Sequence, residues 1–258
     1  MNDAIILENK AYWTQRAPGY SQVNQQELAT GQRRVWKQTL VKHISQRFPH
    51  RCPGDIHVLE VGTGPGFFAI LLAEEGYQVT AIDLTPSMLV QARRNAGPLV
   101  GRIDFMEMNA QSLRFGDERF DVILSRNVTW NLPEPEKAYA EWTRVLKPGG
   151  LLLNFDANWY RYLHNEDARM AYQQDRQNSA AQGLGDFNVG DGFDRMEAIA
   201  CRMPLTRADR PAWDLETLAG LGMDVEADPH VWKHVWSRQE KVNLASTPMF
   251  MVRGYKSA

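Results

Sequence analysis

The stretch Val58-Leu-Glu-Val-Gly-Thr-Gly-Pro-Gly66 is followed by an apolar run and then by Val79-Thr-Ala-Ile-Asp83. This order predicts a strand, a glycine loop, a helix and a second strand ending on a carboxylate, which is half of a nucleotide-binding α/β unit. The glycines have the spacing G-x-G-x-G, whereas the dinucleotide fingerprint G-x-G-x-x-G requires a glycine where Phe67 stands. The loop therefore predicts a nucleoside cofactor and argues against a pyrophosphate resting on the helix N-terminus.

Size and composition are those of an ordinary soluble globular protein. The chain has 258 residues, of which 43% are hydrophobic and 23% charged, and this length suits one large domain or one domain with an insertion. The formal net charge of −2 predicts neither a nucleic-acid partner nor a membrane partner. Two cysteines, with neither a basic leader nor a membrane-length apolar run, predict a cytoplasmic protein. The sequence is compatible with a homodimer.

Short apolar strands alternate with helices along the middle of the chain. We predict strands at 57–61, 78–83, 103–108, 120–125, 151–155, 223–226 and 247–255, and helices at 66–75, 85–94, 135–146 and 214–221. Thr85 is expected to cap the second of these helices. The alternation predicts an α/β fold in which a mostly parallel, Rossmann-like sheet is covered by helices on both faces.

The predicted sheet divides the chain into four parts. Residues 1–54 form an N-terminal helical segment, residues 55–156 the cofactor-binding core, and residues 211–258 the C-terminal completion of that core. Residues 157–210 are rich in polar and aromatic side chains and have no strand period. We therefore predict that they form an insertion that covers the substrate.

The core contains five segments at spacings that suit a single domain: Glu60–Gly66, Ala81–Leu89, Asn109–Phe115, Phe120–Asn127 and Arg144–Gly150. In this order they resemble motifs of the class I S-adenosylmethionine-dependent methyltransferases, particularly those that act on small molecules. The resemblance covers residues 56–156. It implies S-adenosylmethionine as cofactor, a small-molecule acceptor, a sheet of seven strands whose final strand is antiparallel, and an N-terminal segment that acts as a lid.

The resemblance also assigns parts of the cofactor to particular residues. Loop glycines let the backbone approach the methionyl part without a Cβ clash. Glu60, at the end of the first strand, would orient the loop or attract the ammonium group of the cofactor. Asp83 ends the second strand, and its two oxygens suit the two ribose hydroxyls. The alternative for Asp83 is that it only caps the turn at Thr85.

The adenine is assigned to the segment after the third strand, where the family usually has aspartate and this chain has Asn109. An amide keeps the function, because its oxygen accepts from the adenine amine and its NH2 group donates to a ring nitrogen. Aromatic faces favour a sulfonium cation, which gives Tyr20 a role in the lid; the alternative is simple packing on the sheet. The predicted cofactor-binding residues are Tyr20, Glu60, Gly62, Thr63, Gly64, Gly66, Asp83, Leu84, Met88, Asn109, Ala110, Gln111, Arg126 and Asn127.

Substrate residues are expected near the ends of the fourth and fifth strands and in the last part of the chain. Ligands of open α/β sheets bind at the carboxyl edge. His164 and Asp156 could accept a proton from the acceptor, although an ordinary hydrogen-bonded role is the alternative for both. His230 and His234 have no evident third ligand, so no metal site is predicted. The substrate candidates are Trp130, Trp159, Tyr160, Tyr162, His230 and His234, with ordinary packing as the alternative for each.

Together these features predict an enzyme that transfers a methyl group from S-adenosylmethionine to a nitrogen, oxygen or sulfur atom of a small molecule by in-line displacement. Positioning and the exclusion of water supply much of such a rate, so the pattern identifies no catalytic residue. Two rival hypotheses stay open. One is an NAD-type oxidoreductase on a similar sheet, and the other is a non-catalytic module that binds S-adenosylmethionine or S-adenosylhomocysteine.

Overall fold

The computed structural model describes residues 2–187 and 192–257. The strands are β1 His57–Val61, β2 Gln78–Asp83, β3 Ile103–Glu107, β4 Phe120–Arg126, β5 Leu146–Asp156, β6 Met223–Asp228 and β7 Phe250–Lys256. The α-helices are α1 Asn2–Ala29, α2 Gly31–Arg47, α3 Phe67–Glu74, α4 Pro86–Ala96, α5 Pro135–Val145, α6 Glu166–Ala181, α7 Phe193–Ala200, α8 Ala212–Gly220, α9 Trp232–Val235 and α10 Arg238–Asn243.

The seven strands form one sheet in the order β3-β2-β1-β4-β5-β7-β6. Strands β1 to β5 pair in parallel, and β7 runs antiparallel to both β5 and β6. The predicted fold class is confirmed, including the antiparallel final strand. Strand order reverses between β1 and β4, and the carboxyl ends of the strands beside this switch point form the crevice in which an open α/β sheet binds its ligand.

Strand β5 begins earlier than predicted. It starts at Leu146, which pairs with Phe120 before a register shift, so Pro148-Gly-Gly150 lies inside the strand and not before it. The proline and the two glycines are accommodated by the irregular pairing with β4 near Phe120.

Helices cover both faces of the sheet, as the apolar strands predict. Strand β1 is buried from Val58 to Val61, and α3 is buried along Phe67–Ala73. Trp36 of α2 is buried on the α3 face, while Tyr139 and Trp142 of α5 are buried on the opposite face. Each large aromatic removes about 150–250 Å² from water, so these rings contribute strongly to the hydrophobic stabilisation of the core.

The first turn of α4 differs from the prediction. Thr85 is the N-cap residue, but its side chain makes no capping hydrogen bond. The backbone N–H of Thr85 instead donates to Asp83 Oδ1 at 2.8 Å. A carboxylate two residues earlier therefore fixes this helix start, as in an Asx turn.

The predicted insertion contains no strand among its described residues, in agreement with the absence of a strand period. It holds α6 and α7, and residues 188–191 lie outside the part of the chain that the structure describes. Two short helices, α9 and α10, also separate β6 from β7. Among the described helices, none combines the length and the apolar character needed to cross a membrane.

Candidate active site

A cavity lies between α1 and the carboxyl ends of β1 to β4. All of the predicted cofactor-binding residues line it except Glu60, Thr63 and Gly66. Its other lining residues are Ile6, Asn9, Lys10, Trp13, Thr85, Met108, Val128, Asn131, Leu132 and Pro133. Five separate segments of the chain therefore meet at one site.

The glycine loop after β1 brings backbone directly to the cavity wall. Gly62 and Gly64 have φ angles of +67° and +51°, which side chains with a Cβ rarely adopt. A Cβ on Gly62 would lie 2.4 Å from Val128 Cγ2, so only glycine permits the loop to approach Val128 this closely. Gly66 has another use: it begins α3, and a Cβ there would lie 3.1 Å from the Cβ of Ala92 in α4.

Glu60 and Thr63 hold the loop from beneath. Glu60 Oε2 accepts hydrogen bonds from the Thr63 hydroxyl at 2.6 Å and from the Ala69 N–H at 2.8 Å. Burial raises the pKa of Glu60 to about 7, although these two donors oppose the shift. Because neither side chain lines the cavity, the geometry supports the loop-orienting role of Glu60 more directly than a contact with the cofactor.

Asp83 joins the glycine loop to the end of β2. Its Oδ2 accepts from the Gly64 N–H at 2.9 Å, and its Oδ1 accepts from the Thr85 N–H at 2.8 Å. Burial raises the pKa of Asp83, and the two backbone donors counteract that rise. Asp83 therefore caps the turn at Thr85 and also lines the cavity. Each oxygen keeps acceptor capacity for a ribose hydroxyl.

The segment after β3 is fixed on three sides. Asn109 Oδ1 accepts from the Gln111 N–H at 2.9 Å, and Gln111 Oε1 accepts from the Glu134 N–H at 2.7 Å. The Ala110 carbonyl accepts from Trp142 Nε1 at 2.9 Å. Gln111 Nε2 also donates to Asn109 Oδ1 at 3.4 Å, so Gln111 holds the Asn109 amide through both its backbone and its side chain.

Arg126, at the end of β4, binds α1 rather than pointing freely into the cavity. Its two terminal nitrogens donate to the Glu27 carboxylate at 2.7 and 2.9 Å, and its guanidinium carbon lies 4.6 Å from the ring centroid of Phe67. Burial alone would lower the pKa of Arg126, but Glu27 outweighs it and the pKa is raised. This bidentate ion pair fixes the C-terminal half of α1 on the sheet.

Asn127 follows in a left-handed conformation with φ of +59°. Its N–H donates to the Phe155 carbonyl at 2.8 Å, and its own carbonyl accepts from Trp130 Nε1 at 3.1 Å. Its buried Oδ1 has no hydrogen-bond partner among the described residues. A strained backbone and an unpaired amide oxygen beside a cavity are features that cluster at ligand sites.

Tyr20 lies over the glycine loop, where a Cβ on Gly64 would be 3.6 Å from its ring. The rings of Tyr20 and Trp13 have centroids 5.6 Å apart, and both side chains line the cavity. Burial raises the pKa of Tyr20, so its hydroxyl is neutral at physiological pH. Two aromatic faces beside the loop form a suitable environment for a sulfonium cation.

The N-terminal part of α1 contributes wall residues that sequence reasoning missed. Asn9 and Asn131 exchange hydrogen bonds: Asn9 Nδ2 donates to the Asn131 carbonyl at 3.0 Å, and Asn131 Nδ2 donates to Asn9 Oδ1 at 3.1 Å. Lys10 Nζ lies 2.6 Å from Glu107 Oε1. The available signal was the spacing of Ile6, Asn9, Lys10 and Trp13, which share one helix face.

The aromatic substrate candidates do not line the cavity. Trp130 and Tyr160 belong to a neighbouring hydrophobic cluster, in which their ring centroids are 4.9 Å apart, and the ring of Tyr162 lies 5.9 Å from that of Tyr160. Trp159 packs on the same cluster and donates from Nε1 to Asp156 Oδ1 at 3.1 Å. In this conformation these four residues have the ordinary packing role that was the alternative to substrate binding.

The histidine candidates also lie outside the cavity lining. His230 and His234 are exposed at α9, and no group of metal-ligating side chains occurs within residues 2–187 and 192–257. His164 is half-buried in the insertion, burial lowers its pKa, and its Nε2 has no described partner. The structure therefore does not bring these three histidines to the predicted cofactor residues.

Asp156 is buried in an ionic network behind the cavity wall. Its Oδ2 accepts from Arg210 Nη1 at 2.8 Å, from the Thr129 hydroxyl at 2.5 Å and from the Trp130 N–H at 3.0 Å. Arg210 also donates twice to Asp214. Both charged ends of the Asp156–Arg210 pair are fully buried. Asp156 thus supports the segment after β4 and has no access to a substrate in this conformation.

The fold and this arrangement of loop, carboxylate and amide segment are those expected of a class I S-adenosylmethionine-dependent methyltransferase domain. Residues 59–154 match the family described as a methyltransferase domain. The chain is 37% identical over 133 residues to the ubiquinone/menaquinone biosynthesis C-methyltransferase UbiE of Pseudoalteromonas translucida, a match that covers 49% of this chain and 50% of that protein. It thus spans about half the length of the curated relatives it matches.

Solved structures extend the similarity of fold over more of the chain. A chain in the complex between the Haloferax volcanii Trm112 methyltransferase activator and a methyltransferase aligns with a TM-score of 0.62 and 18% identity, covering 95% of this chain and 98% of that one. The cyclase SpnF aligns with a TM-score of 0.53 and 19% identity, covering 85% and 80%. At these identities the match concerns the fold alone, and a cyclase among the neighbours means that the site must carry the functional argument.

Proposed function

We propose that the chain transfers a methyl group from S-adenosylmethionine to a small-molecule acceptor. The observation that carries this proposal is the meeting, at one cavity, of the Gly62–Gly64 loop, the Asp83 carboxylate and the segment Asn109–Gln111. These groups suit the methionyl, ribose and adenine parts of one nucleoside. The loop lacks the third glycine of the dinucleotide fingerprint, which weighs against an NAD-type cofactor.

The cofactor supplies a sulfonium-bound methyl group that a nucleophile takes by in-line displacement. In this proposal Tyr20 and Trp13 place aromatic faces beside the cation, and Asp83 holds the ribose so that the methyl group keeps one orientation. Helix α1 covers the site and excludes water from the reacting atoms. A base is not required of the protein when the acceptor reacts as an anion or loses its proton after methyl transfer.

A finer proposal concerns the acceptor, and it comes from the curated relatives that act in quinone biosynthesis. The cationic side chains among the described lining residues are Lys10 and Arg126, and each is ion-paired, with Glu107 and Glu27 respectively. Neither cation is therefore available to neutralise a phosphate or carboxylate group on the acceptor. Ile6, Trp13, Val128 and Leu132 supply apolar surface instead, which supports a neutral, ring-containing acceptor such as a hydroquinone.

For a hydroquinone the reaction balances without a further reagent. A nucleophilic ring carbon forms the new C–C bond, the C–S bond electrons remain on sulfur, and the ring carbon loses its hydrogen as a proton. This acceptor would make the enzyme a carbon methyltransferase, in place of the nitrogen, oxygen or sulfur acceptors expected from the sequence pattern. The small-molecule class and the in-line step stay the same.

Two measurements test the proposal. Calorimetric titration with S-adenosylmethionine, S-adenosylhomocysteine and NAD should give binding of the first two; tight binding of NAD alone would point to the oxidoreductase. Incubation with methyl-labelled cofactor and an alkylated hydroquinone bearing one free ring carbon should then give labelled product. Cofactor binding without product from this acceptor or from broad metabolite extracts would favour a non-catalytic binding module.

A further inference from the structure

Helix α1 is divided by Pro18 and Gly19 into two halves. Proline has no N–H to donate to the Thr14 carbonyl one turn earlier, and this carbonyl instead accepts from the Ser87 hydroxyl at 3.5 Å. The glycine that follows adds backbone freedom. The middle of α1 is therefore the point at which the helix bends most readily.

The two halves are attached to the body of the protein in different ways. The C-terminal half carries Glu27, whose bidentate pair with Arg126 leaves about a tenth of each side chain exposed. The N-terminal half is attached at the cavity by Asn9 and by Lys10, whose pair with Glu107 is 31% and 49% exposed. Exposed pairs of this kind are weak and are screened by salt, so the N-terminal half is the more easily released.

The outer face of the same half is covered by α7 of the insertion. Tyr12 of α1 packs with Met196 and Ile199 in one buried cluster, and Arg202 Nη2 lies 2.6 Å from Glu8 Oε2. No described residue of α7 lines the cavity. An effect of α7 on the site would therefore be transmitted through α1.

We propose that residues 2–17 of α1 and helix α7 form one two-layered lid, hinged at Pro18–Gly19, whose opening controls exchange of the cofactor. The inner layer closes the cavity with Ile6, Asn9, Lys10 and Trp13. The outer layer stabilises the closed position by burying Ile199 and Met196 against α1. Because both layers must move for the nucleoside to pass, loss of α7 packing speeds dissociation of a ligand that α7 never touches.

The test uses the full chain with S-adenosylhomocysteine as probe, and it rests on the proposed cofactor site. Bound probe is displaced with excess S-adenosylmethionine in a stopped-flow instrument, and tryptophan fluorescence reports the dissociation rate. Ile199→Ala removes packing in the fully buried cluster and should raise this rate by on the order of tenfold. Glu8→Arg and Arg202→Glu should each raise it by about twofold to fivefold, because the pair is exposed.

Three controls make the result specific. The double variant Glu8→Arg/Arg202→Glu restores the opposite charges and should return the rate toward that of the parent. Arg34→Glu, an exposed charge reversal on α2, should leave it unchanged. Pro18→Ala makes α1 continuous and should slow exchange several-fold, since the hinge is lost.

The outcomes separate this inference from the function on which it rests. If the parent protein fails to bind S-adenosylhomocysteine in calorimetry, the cofactor assignment itself fails, and the lid inference fails with it. If the parent binds and the folded Ile199→Ala and charge variants dissociate at the parent rate, the two-layered lid is overturned while the cofactor site stands. Circular dichroism and thermal unfolding establish that each variant is folded.

Discussion

The cavity has a strand wall, formed by the segments that follow β1 to β4, and a helix wall, formed by α1. The polar side chains of the two walls differ in how far along the sequence their hydrogen-bond partners lie. On the strand wall, the Asp83 side chain contacts the N–H groups of Gly64 and Thr85, nineteen and two residues away. On the helix wall, Lys10 contacts Glu107 and Asn9 contacts Asn131, 97 and 122 residues away. The strand wall is therefore built by local motifs, whereas the helix wall exists only once distant segments have met. In our proposals the strand wall binds the cofactor and the helix wall controls access to it.

The largest effect is expected in the network that supports the strand wall from behind. Arg210→Met leaves the buried carboxylates of Asp156 and Asp214 without their counter-charge, so the free energy of unfolding should fall by about 3–5 kcal/mol. Urea denaturation measures this change. The matched control is Arg161→Met, which breaks the exposed pair with Asp209 and should cost no more than about 1 kcal/mol. Similar losses in both variants would mean that the buried network gives the wall no special support.

The next effect concerns Glu60 beneath the glycine loop. Its pKa is about 7 in the folded chain, above its ordinary value of 4.5, so folding favours the protonated form. This stabilisation is complete below the ordinary pKa and is lost as pH rises through about 7, a loss on the order of 3 kcal/mol. In Glu60→Gln the group cannot ionise. The variant should gain stability relative to the parent between about pH 5 and about pH 8 in urea titrations. A difference that does not change with pH would place the Glu60 pKa near its ordinary value.

Asp83→Ala tests whether the strand wall binds the ribose or only shapes its own turn. Loss of a charge-assisted site should weaken S-adenosylmethionine binding by roughly 1.5–3 kcal/mol in calorimetry. Asp104→Ala, an exposed aspartate on β3, serves as the control and should bind normally. Unchanged affinity in a folded Asp83→Ala variant would leave the carboxylate with the turn-capping role alone.

The smallest effect is expected on the helix wall. Lys10→Met removes an exposed ion pair and should raise the S-adenosylhomocysteine dissociation rate by only about twofold to fivefold. In the parent, added salt should speed dissociation by screening this pair, and the variant should respond less. An identical salt response in the two proteins would remove Lys10 from the closure of the cavity.

Much of the strand wall could be predicted because its geometry follows from backbone rules. The loop Gly62–Gly64, the carboxylate at the end of β2 and the segment Asn109–Gln111 all follow parallel strands, and such strand ends meet at one edge. The aromatic candidates after β4 and β5 were predicted from the same edge rule. The structure instead packs Trp130 and Tyr160 into a neighbouring cluster, because large apolar rings are buried wherever a surface is available to cover them.

The sequence by itself determined the order of strands and helices, the glycine loop and the carboxylate beside it, since these depend on residues close together in the chain. Only the tertiary structure decided that Arg126 is paired with Glu27, that Asp156 is paired with Arg210, and that α7 packs on α1. Ion pairs and packing between distant segments leave no periodic signal in the sequence, because their geometry is fixed only when the whole sheet has formed.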